Sequence, residues 1–294
     1  MENKRPFKTI YTCFPQGKHK VLTMSYDDGK IFDRKLIEIF NKYGIKGTFH
    51  LNTGIMPVDE DRIQLSEASR VMRRRIAERH MTAGVTIVDP ESVYIEEDVV
   101  IGNDTEIWPG AELKGRTIIG NGCVIGRDTI IEDSTIGDRT DILKSVIKES
   151  EVGADTQIGP FAYLRPKSRV GNGCKVGDFV EIKNAVFGDG SKASHLAYVG
   201  DADVGRDVNV GCGVVFANYD GVHKFRTEVG DRTFIGSNSN LVAQVEDDAY
   251  IAAGTTVTVA VPEGALCVGR AREVIEEGWV EKKGLSRKKR TVKK

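Results

Sequence analysis

The chain has 294 residues, 40% of them hydrophobic and 29% charged, and its 42 basic and 43 acidic side chains leave a formal net charge of −1. This balance excludes a general electrostatic affinity for nucleic acid or an anionic membrane, and the apolar content excludes an intrinsically disordered chain. No apolar run is long enough to span a membrane and the first residues lack the apolar region of a secretory signal, so we expect a cytoplasmic protein without membrane insertion. The five cysteines are widely spaced and never form a CxxC pair, which favours reduced thiols.

The first segment, residues 1–57, carries a strand, helix and strand pattern over residues 21–25, 33–42 and 47–52, which predicts a βαβ unit. With its SYDDG motif this segment resembles the opening of a polysaccharide deacetylase. The resemblance implies that Asp27 is a base and that Asp28 binds a divalent metal together with two histidines of an HSxxH or HTxxH motif. No histidine here is followed by Ser or Thr. We therefore expect an incomplete, inactive fragment, with Asp28 a metal ligand only if another chain completes the site.

Residues 58–82 are predicted to form a connecting amphipathic helix. Apolar residues recur there at mixed three- and four-residue steps, and arginines fill the positions between them. The apolar positions are Ile63, Ala68, Val71, Met72, Ile76 and Ala77.

From residue 95 onward an aliphatic residue recurs at every sixth position, often followed by Gly. The first series is Ile95, Ile101, Ile107, Leu113, Ile119, Ile125 and Ile131, and the phase returns from Val152 to Ile182, from Val204 to Phe216 and from Val229 to Leu241. This period predicts triangular coils of about 18 residues, each with three short strands and one inward aliphatic side chain per strand. Gly, Asn and Asp supply the left-handed conformations that the tight bends need.

The spacing and its IG and VG dipeptides resemble the hexapeptide-repeat acyltransferases, and this resemblance implies a left-handed parallel β-helix. We assign it to residues 83–270 and treat residues 271–294 as a C-terminal arm with a basic tail. The fold class is thus all-β, with an N-terminal α/β fragment and a connecting helix. An ordinary β-sandwich is the alternative, but it requires alternation with a period of two.

The repeat fails at two places, between Ile182 and Val199 and between Phe216 and Val229, and we predict extruded loops there because function concentrates in such loops. They contain His195 and His223. Three cations near the breaks suit a phosphate or another compact anion, and His195 is a candidate base near neutral pH. The cations are Arg165, Lys183 and Lys224. The plain alternative is a surface histidine beside a solvated basic face.

Several strings closely resemble the acetyltransferase half of the bacterial enzymes that make UDP-N-acetylglucosamine: YLRPKSRVGNGCKVGDFVEIK, GDGSKASHLAYVGDADVGRDVNVGCG and NYDGVHKF. The resemblance implies that His195 is the base that deprotonates the amine of glucosamine 1-phosphate. It assigns substrate contacts to Arg165, Lys183, Tyr198, Asn209, Asn218, Tyr219 and Lys224. It assigns acetyl-CoA contacts to Cys212, Ser237, Ala253 and Arg270. It also implies a homotrimer in which each site is shared between subunits.

The implied reaction needs acetyl-CoA as cosubstrate and no metal. The freed amine attacks the thioester, and a backbone N–H near Cys212 is expected to stabilise the oxyanion. We expect the imidazole of His195 to share one cleft with Arg165 and Lys183. A zinc site lacks the three histidines it requires, and nothing near Cys212 marks it as an activated nucleophile.

Two departures from the family pattern bear on function. The glycine-rich nucleotide loop of a uridyltransferase is absent from residues 1–60, so we predict no uridyltransferase activity. The step from Leu241 to Ile251 is two residues short of two hexapeptides, so we predict that this coil puckers or slips. A folded scaffold with a damaged acetyl-CoA site is the alternative. The basic tail is expected to be solvated, unless it reaches the phosphates of CoA on a neighbouring subunit.

Overall fold

A computed structural model describes residues 58–285. The deacetylase-like segment with Asp27 and Asp28, and most of the basic tail, lie outside these residues. Contacts divide the chain into one unit that ends at Val71 and a second that begins at Met72. Among the described residues, no helix has the length and apolar character needed to cross a bilayer.

The first helix, α1, covers Val58–Thr82. The part of it within the second unit buries Ile76, Ala77 and His80, whereas Met72 is about half exposed. The apolar stripe expected over the whole helix is thus buried only near its C-terminal end. The second helix, α2, covers Trp279–Lys282 and buries no residue.

After α1 the chain winds into stacked coils whose strands pair in parallel along three faces. The winding is left-handed, as in the hexapeptide-repeat fold. Strands of the first face are β1 (Thr86–Ile87), β4 (Glu106–Ile107), β7 (Val124–Ile125), β10 (Asp141–Ile142), β13 (Gln157–Ile158), β20 (Asn209–Val210), β23 (Phe234–Ile235), β25 (Tyr250–Ile251) and β27 (Leu266–Cys267). Strands of the second face are β2 (Tyr94–Ile95), β5 (Glu112–Lys114), β8 (Ile130–Glu132), β11 (Val146–Lys148), β14 (Tyr163–Leu164), β21 (Val215–Phe216), β24 (Asn240–Leu241) and β26 (Thr256–Val257).

Two nine-residue strands, β16 (Lys175–Lys183) and β18 (Lys192–Gly200), run across both of these faces and join them into one sheet. Strands of the third face are β3 (Val100–Ile101), β6 (Ile118–Ile119), β9 (Thr135–Ile136), β12 (Glu151–Val152), β15 (Arg169–Val170), β17 (Val186–Phe187), β19 (Ala202–Val204) and β22 (Thr227–Val229). The three faces enclose one continuous core.

The predicted inward positions are confirmed. Every residue of the six-residue series is at most 8% exposed, and the largest core side chains are Phe187 and Phe216. The structure also buries Ile136, Ile142 and Ile147, and three of the four steps from Ile131 to Val152 are five residues long. A single residue with positive φ makes the bend. A bend that is one residue shorter can therefore still direct the next aliphatic side chain into the core.

Coil length therefore varies more than the period predicts. Glu106 pairs with Val124, eighteen residues later, whereas Asp141 pairs with Gln157 after only sixteen. The longest coil joins Asn209 to Phe234. Its extra residues form the extruded loop after Phe216, as predicted for that break.

The other break is not a loop, which corrects the prediction for residues between Ile182 and Val199. Lys192–Gly200 is a strand that pairs in parallel with Lys175–Lys183 over seven residue pairs. His195 therefore sits on the scaffold itself and not on an extrusion.

Of the predicted pucker or slip between Leu241 and Ile251, the slip does not occur. Phe234 pairs with Tyr250 and Asn240 with Thr256, each in the ordinary parallel register. The shortening is taken up on the third face, where pairing at this level reduces to the single bridges from Val229 to Val245 and from Val245 to Val261. The bend that carries Ala253 keeps its normal backbone connection.

Candidate active site

His195 lies at the bend between the first and second faces, which we call the His195 corner. The start of β18 pairs with Asn209 on the first face, and Tyr198 pairs with Val215 on the second. Leu196 makes the turn between them with φ +33°. The imidazole is 63% exposed, and its Nδ1 lies 2.8 Å from Oδ1 of Asp178, the residue opposite it in β16.

The residues that the resemblance assigns to acetyl-CoA continue from His195 along this same corner. Backbone hydrogen bonds join successive coils there, from Gly213 N to Leu196 O (2.6 Å), from Asn238 N to Cys212 O (2.8 Å) and from Gly254 N to Ser237 O (2.8 Å). In the last step, Nη1 of Arg270 donates to the carbonyl of Ala253 at 2.6 Å. Four residues therefore form one column along this corner, one in each successive coil: Cys212, Ser237, Ala253 and Arg270.

A second group of polar residues gathers at the opposite edge of the second face, around Asp201. Its carboxylate accepts hydrogen bonds from Lys183 Nζ (3.1 Å), Asn184 Nδ2 (2.6 Å) and Asn218 Nδ2 (2.6 Å). Burial raises the pKa of Asp201, but the hydrogen bonds from Asn184 and Lys183 outweigh it and hold the pKa below its ordinary value. An ionised Asp201 therefore fixes Lys183 and Asn218 in place.

Arg165 and Lys224 belong to the same edge. The backbone N–H of Arg165 donates to Ile182 O at 2.8 Å, so Arg165 lies one coil before Lys183. The guanidinium of Arg165 pairs with Glu181 at 2.9 Å. Lys224 is close enough to Asp201 to help lower the pKa of that carboxyl group. We call Arg165, Lys183, Lys224 and Asp201 the cation cluster. With Glu181 paired to Arg165, its three positive charges still exceed the two negative charges, which suits an anionic ligand.

The loop that carries Tyr219 and Lys224 is held to the scaffold by Arg226. The guanidinium pairs with Asp203 and also donates to the carbonyls of Asn184 and Ala202, both at 2.9 Å. Within the loop, Tyr219 and Lys224 form an antiparallel bridge. Tyr219 itself is exposed, and its hydroxyl donates to Gly221 O at 2.6 Å.

Tyr198 and Asn209 lie apart from that loop. Tyr198 is half-buried in β18 and its ring lies over Gly200, where an added Cβ would be 2.2 Å from the phenolic oxygen. Asn209 is exposed on the first face and pairs with Lys192, three residues before His195. Tyr198 therefore lies on the second face between the two edges, and Asn209 lies on the His195 side.

Within one chain, the expected shared cleft is not formed. His195 pairs with Asp178, and Lys183 is five residues further along β16, beyond the bend at Phe179, so the width of the second face, at most about 16 Å of chain, separates the base from the cation cluster. No hydrogen bond or ion pair between described residues joins the two groups. The reason is geometric: the two groups occupy opposite edges of the same flat face.

Sequence reasoning missed Asp178, Asp201 and Arg226. Asp and Arg are common in the turns of this chain, so residue type alone does not distinguish these three from the other charged positions. Only the parallel register, with Asp178 opposite His195 and Asp201 following Lys183 by one coil, reveals them. Among residues 58–285, no group of three or more His, Cys, Asp or Glu side chains is arranged to hold a metal ion.

Residues 149–184 match the family described as bacterial transferase hexapeptide (six repeats). Together with the stacked coils, this match defines the fold class, which is a left-handed parallel β-helix of hexapeptide repeats.

Among individual proteins, the chain is 54% identical over 268 residues to the bifunctional protein GlmU of Clostridioides difficile strain 630, covering 90% of this chain and 58% of that protein. It is 53% identical over 226 residues to the bifunctional protein GlmU of Clostridium acetobutylicum, covering 76% of this chain and 50% of that protein. The chain therefore spans about half the length of the curated relatives it matches. A solved structure of UDP-N-acetylglucosamine acyltransferase from Campylobacter jejuni is 21% identical, with a TM-score of 0.37, covering 63% of this chain and 71% of that one.

Proposed function

We propose that the protein is an acyltransferase that moves the acetyl group of acetyl-CoA to the amine of glucosamine 1-phosphate, which gives N-acetylglucosamine 1-phosphate for UDP-N-acetylglucosamine and cell-wall synthesis. The observation that carries this proposal is the His195 corner. An exposed imidazole stands at the start of the column that contains Cys212, Ser237, Ala253 and Arg270. A thioester bound along that column would present its acetyl end to the imidazole. The high identity to bifunctional GlmU proteins supports the same assignment.

The chemistry follows from these groups. The amine of the sugar is a nucleophile only after its ammonium form loses a proton, and the neutral imidazole of His195 accepts that proton. The amine then attacks the acetyl carbon, a C–N bond forms, and the C–S bond breaks. The imidazolium returns its proton to the departing thiolate, and the new amide nitrogen loses its second proton to water, so the overall reaction releases one proton for each ammonium group consumed. The guanidinium of Arg270, at the far end of the column, suits the phosphates of CoA.

The cation cluster would hold the phosphate of the sugar, but not within the same chain. The phosphate and the amine of glucosamine 1-phosphate are on adjacent ring carbons, far closer than the two edges of the second face. We therefore propose that a second copy of the chain supplies the cation cluster to each His195, in the homotrimer that the resemblance implies.

The surface beside His195 supports this arrangement. Among described non-glycine residues with positive φ, three are large and apolar: Phe161, Phe179 and Leu196. All three are more than half exposed and lie at the His195 corner in successive coils, and the rings of Phe161 and Phe179 stack 5.4 Å apart. Such a column of exposed apolar side chains is typical of a surface that another chain covers.

The proposal is tested by CoA thiol release in the presence of glucosamine 1-phosphate, with the oligomer measured in the same sample by sedimentation. We expect release that requires both substrates. A well-folded trimer that releases no thiol would contradict the proposal and favour the inactive scaffold.

Arg165→Ala should raise the KM for glucosamine 1-phosphate by roughly 10- to 100-fold, because a charge-assisted contact to the phosphate is lost. The KM for acetyl-CoA should stay near its wild-type value, since Arg165 lies on the edge opposite the column. Lys282→Ala, a loss of charge in α2, is the matched control. Equal effects of the two substitutions on the sugar KM would exclude Arg165 as the phosphate anchor.

The shared site is tested by mixing two inactive chains. His195→Ala removes the base and Arg165→Ala with Lys183→Ala removes the anchor, so each variant alone should be inactive. Oligomers assembled from equal amounts of both should regain activity, at about a quarter of the sites if pairing is random. Two differently tagged His195→Ala chains form the control mixture. Mixed oligomers without activity would contradict a site built from two copies.

The proposal concerns acetyl transfer alone. The resemblance of residues 18–54 to a deacetylase fragment and the expected lack of uridyltransferase activity stay predictions. Incubation with UTP and N-acetylglucosamine 1-phosphate, followed by a pyrophosphate assay, measures the second of these directly.

A further inference from the structure

We propose that Asp178 is a positioning residue, whose carboxylate holds the imidazole of His195 in the tautomer that leaves Nε2 as the proton acceptor. The kinetic consequence of this inference rests on the proposed acetyl transfer. The tautomer itself does not depend on that function, and it can be measured in the protein without substrates.

The register of two strands places these residues face to face. Asp178 of β16 pairs with His195 of β18, between the pairs that Val176 forms with Ala193 and Val180 with Ala197. The flanking pairs point their side chains into the core, where all four are buried. The carboxylate and the imidazole therefore meet on the outer surface because the scaffold aligns their backbones.

The bend itself is held tightly. A Cβ added to Gly177 would lie 1.9 Å from the carbonyl oxygen of Ser194, so only glycine permits this approach of the two coils. Phe179 and Leu196 turn the chain in both coils with φ +57° and +33°. A constrained bend limits the directions in which Asp178 and His195 can move apart.

The hydrogen bond decides which nitrogen carries the proton. Oδ1 of Asp178 lies 2.8 Å from Nδ1 of His195, and an ionised carboxylate can only accept a hydrogen bond. The hydrogen bond from His195 lowers the pKa of Asp178, with help from its own backbone N–H and, more weakly, from Lys175, so the carboxylate is ionised at neutral pH. Nδ1 of a neutral His195 is then the donor, and Nε2 keeps its lone pair.

The same carboxylate also stabilises the positive charge that the imidazole gains during the reaction. Asp178 thus acts as a hydrogen-bond acceptor for Nδ1 and orients the ring so that Nε2 faces the substrate. Because Asp178 faces the imidazole and not the column of proposed acetyl-CoA contacts, it should affect the rate of proton transfer and not the binding of either substrate.

The test combines ¹⁵N NMR of the His195 ring with kinetics of Asp178→Ala and Asp178→Asn. In the wild-type protein, above the pH at which the ring becomes neutral, we expect the proton at Nδ1. In Asp178→Ala the proton should move toward Nε2, which free imidazole side chains prefer, and kcat should fall by ~10- to 100-fold with both KM values within about twofold. Asp178→Asn, whose amide oxygen still accepts, should retain the wild-type tautomer and lose less activity.

Asp128→Ala is the matched control, because it removes a carboxylate at the bend between the same two faces in an earlier coil. It should leave both the His195 spectrum and kcat unchanged. Wild-type tautomer and wild-type kcat in Asp178→Ala would overturn the inference. If the wild-type protein shows no acetyl transfer but the tautomer shifts as expected, the proposed function fails while the role of Asp178 in orienting His195 stands.

Discussion

Replacing His195 with alanine is expected to lower kcat for acetyl transfer by roughly 100- to 10,000-fold, the range that a positioned general base contributes. The sugar amine is mostly protonated at neutral pH, and without an acceptor its proton must pass to water. The KM values for both substrates should change little, because the cation cluster and the column beyond Cys212 remain intact. Thiol release under saturating substrates measures the effect.

His223→Ala is the matched control for that experiment. His223 lies in the extruded loop, and its Nδ1 is 3.7 Å from a carboxylate oxygen of Asp220 within the same loop. Its loss should leave kcat within about threefold of wild type, because it lies away from the column. Activity in His195→Ala close to that of wild type would remove the imidazole from the mechanism.

Removal of His195 should also let the pKa of Asp178 rise toward its ordinary value, since its main stabilising hydrogen bond is lost.

Replacing Phe187 with alanine is expected to lower the free energy of unfolding by about 3–5 kcal/mol. Phe187 is fully buried on the third face, between Val170 and Val204 of the coils on either side. The narrow interior is closed on three faces, so the neighbouring side chains cannot collapse fully into the space that the ring leaves. The midpoint and slope of urea unfolding measure the change.

The neighbouring residue provides the control. Val186 belongs to the same two-residue strand but points outward and is 39% exposed. Val186→Ala should cost less than about 1 kcal/mol, because little apolar surface returns to water. Equal destabilisation by the two substitutions would mean that the inward and outward positions of this strand are assigned wrongly.

The inward residues of the coils were predictable because their signal is local: one apolar residue per strand, followed by a bend. Ile136, Ile142 and Ile147 escaped a strict period of six because residue count in the bends varies. The polar composition of Lys192–Gly200 predicts a loop, whereas the structure has a strand there. A polar segment that contains His and Ser is typical of an exposed loop, but here its polar side chains are the outward-facing residues of a strand.

The candidate site was predictable in its residue types and less so in its arrangement. Resemblance supplied His195, the cations and the column of proposed acetyl-CoA contacts. It did not supply Asp178 or Asp201, since a carboxylate becomes distinctive only when the parallel register sets it opposite an imidazole or beneath an ammonium group. The separation of His195 from Lys183 also could not be predicted, because it depends on which edge of the second face each residue occupies. The positions of the bends in the coil determine these edges.

On the first face, parallel pairing runs without a break from β1 to β27, and this bears on how the molecule comes apart. Each coil is supported only by the coils before and after it, so we expect opening to start at the terminal coils and to advance inward one coil at a time. Asp178, His195 and Lys183 belong to rungs well inside the array, with several layers on each side. Fraying at either end can therefore come and go without disturbing the geometry on which proton transfer depends.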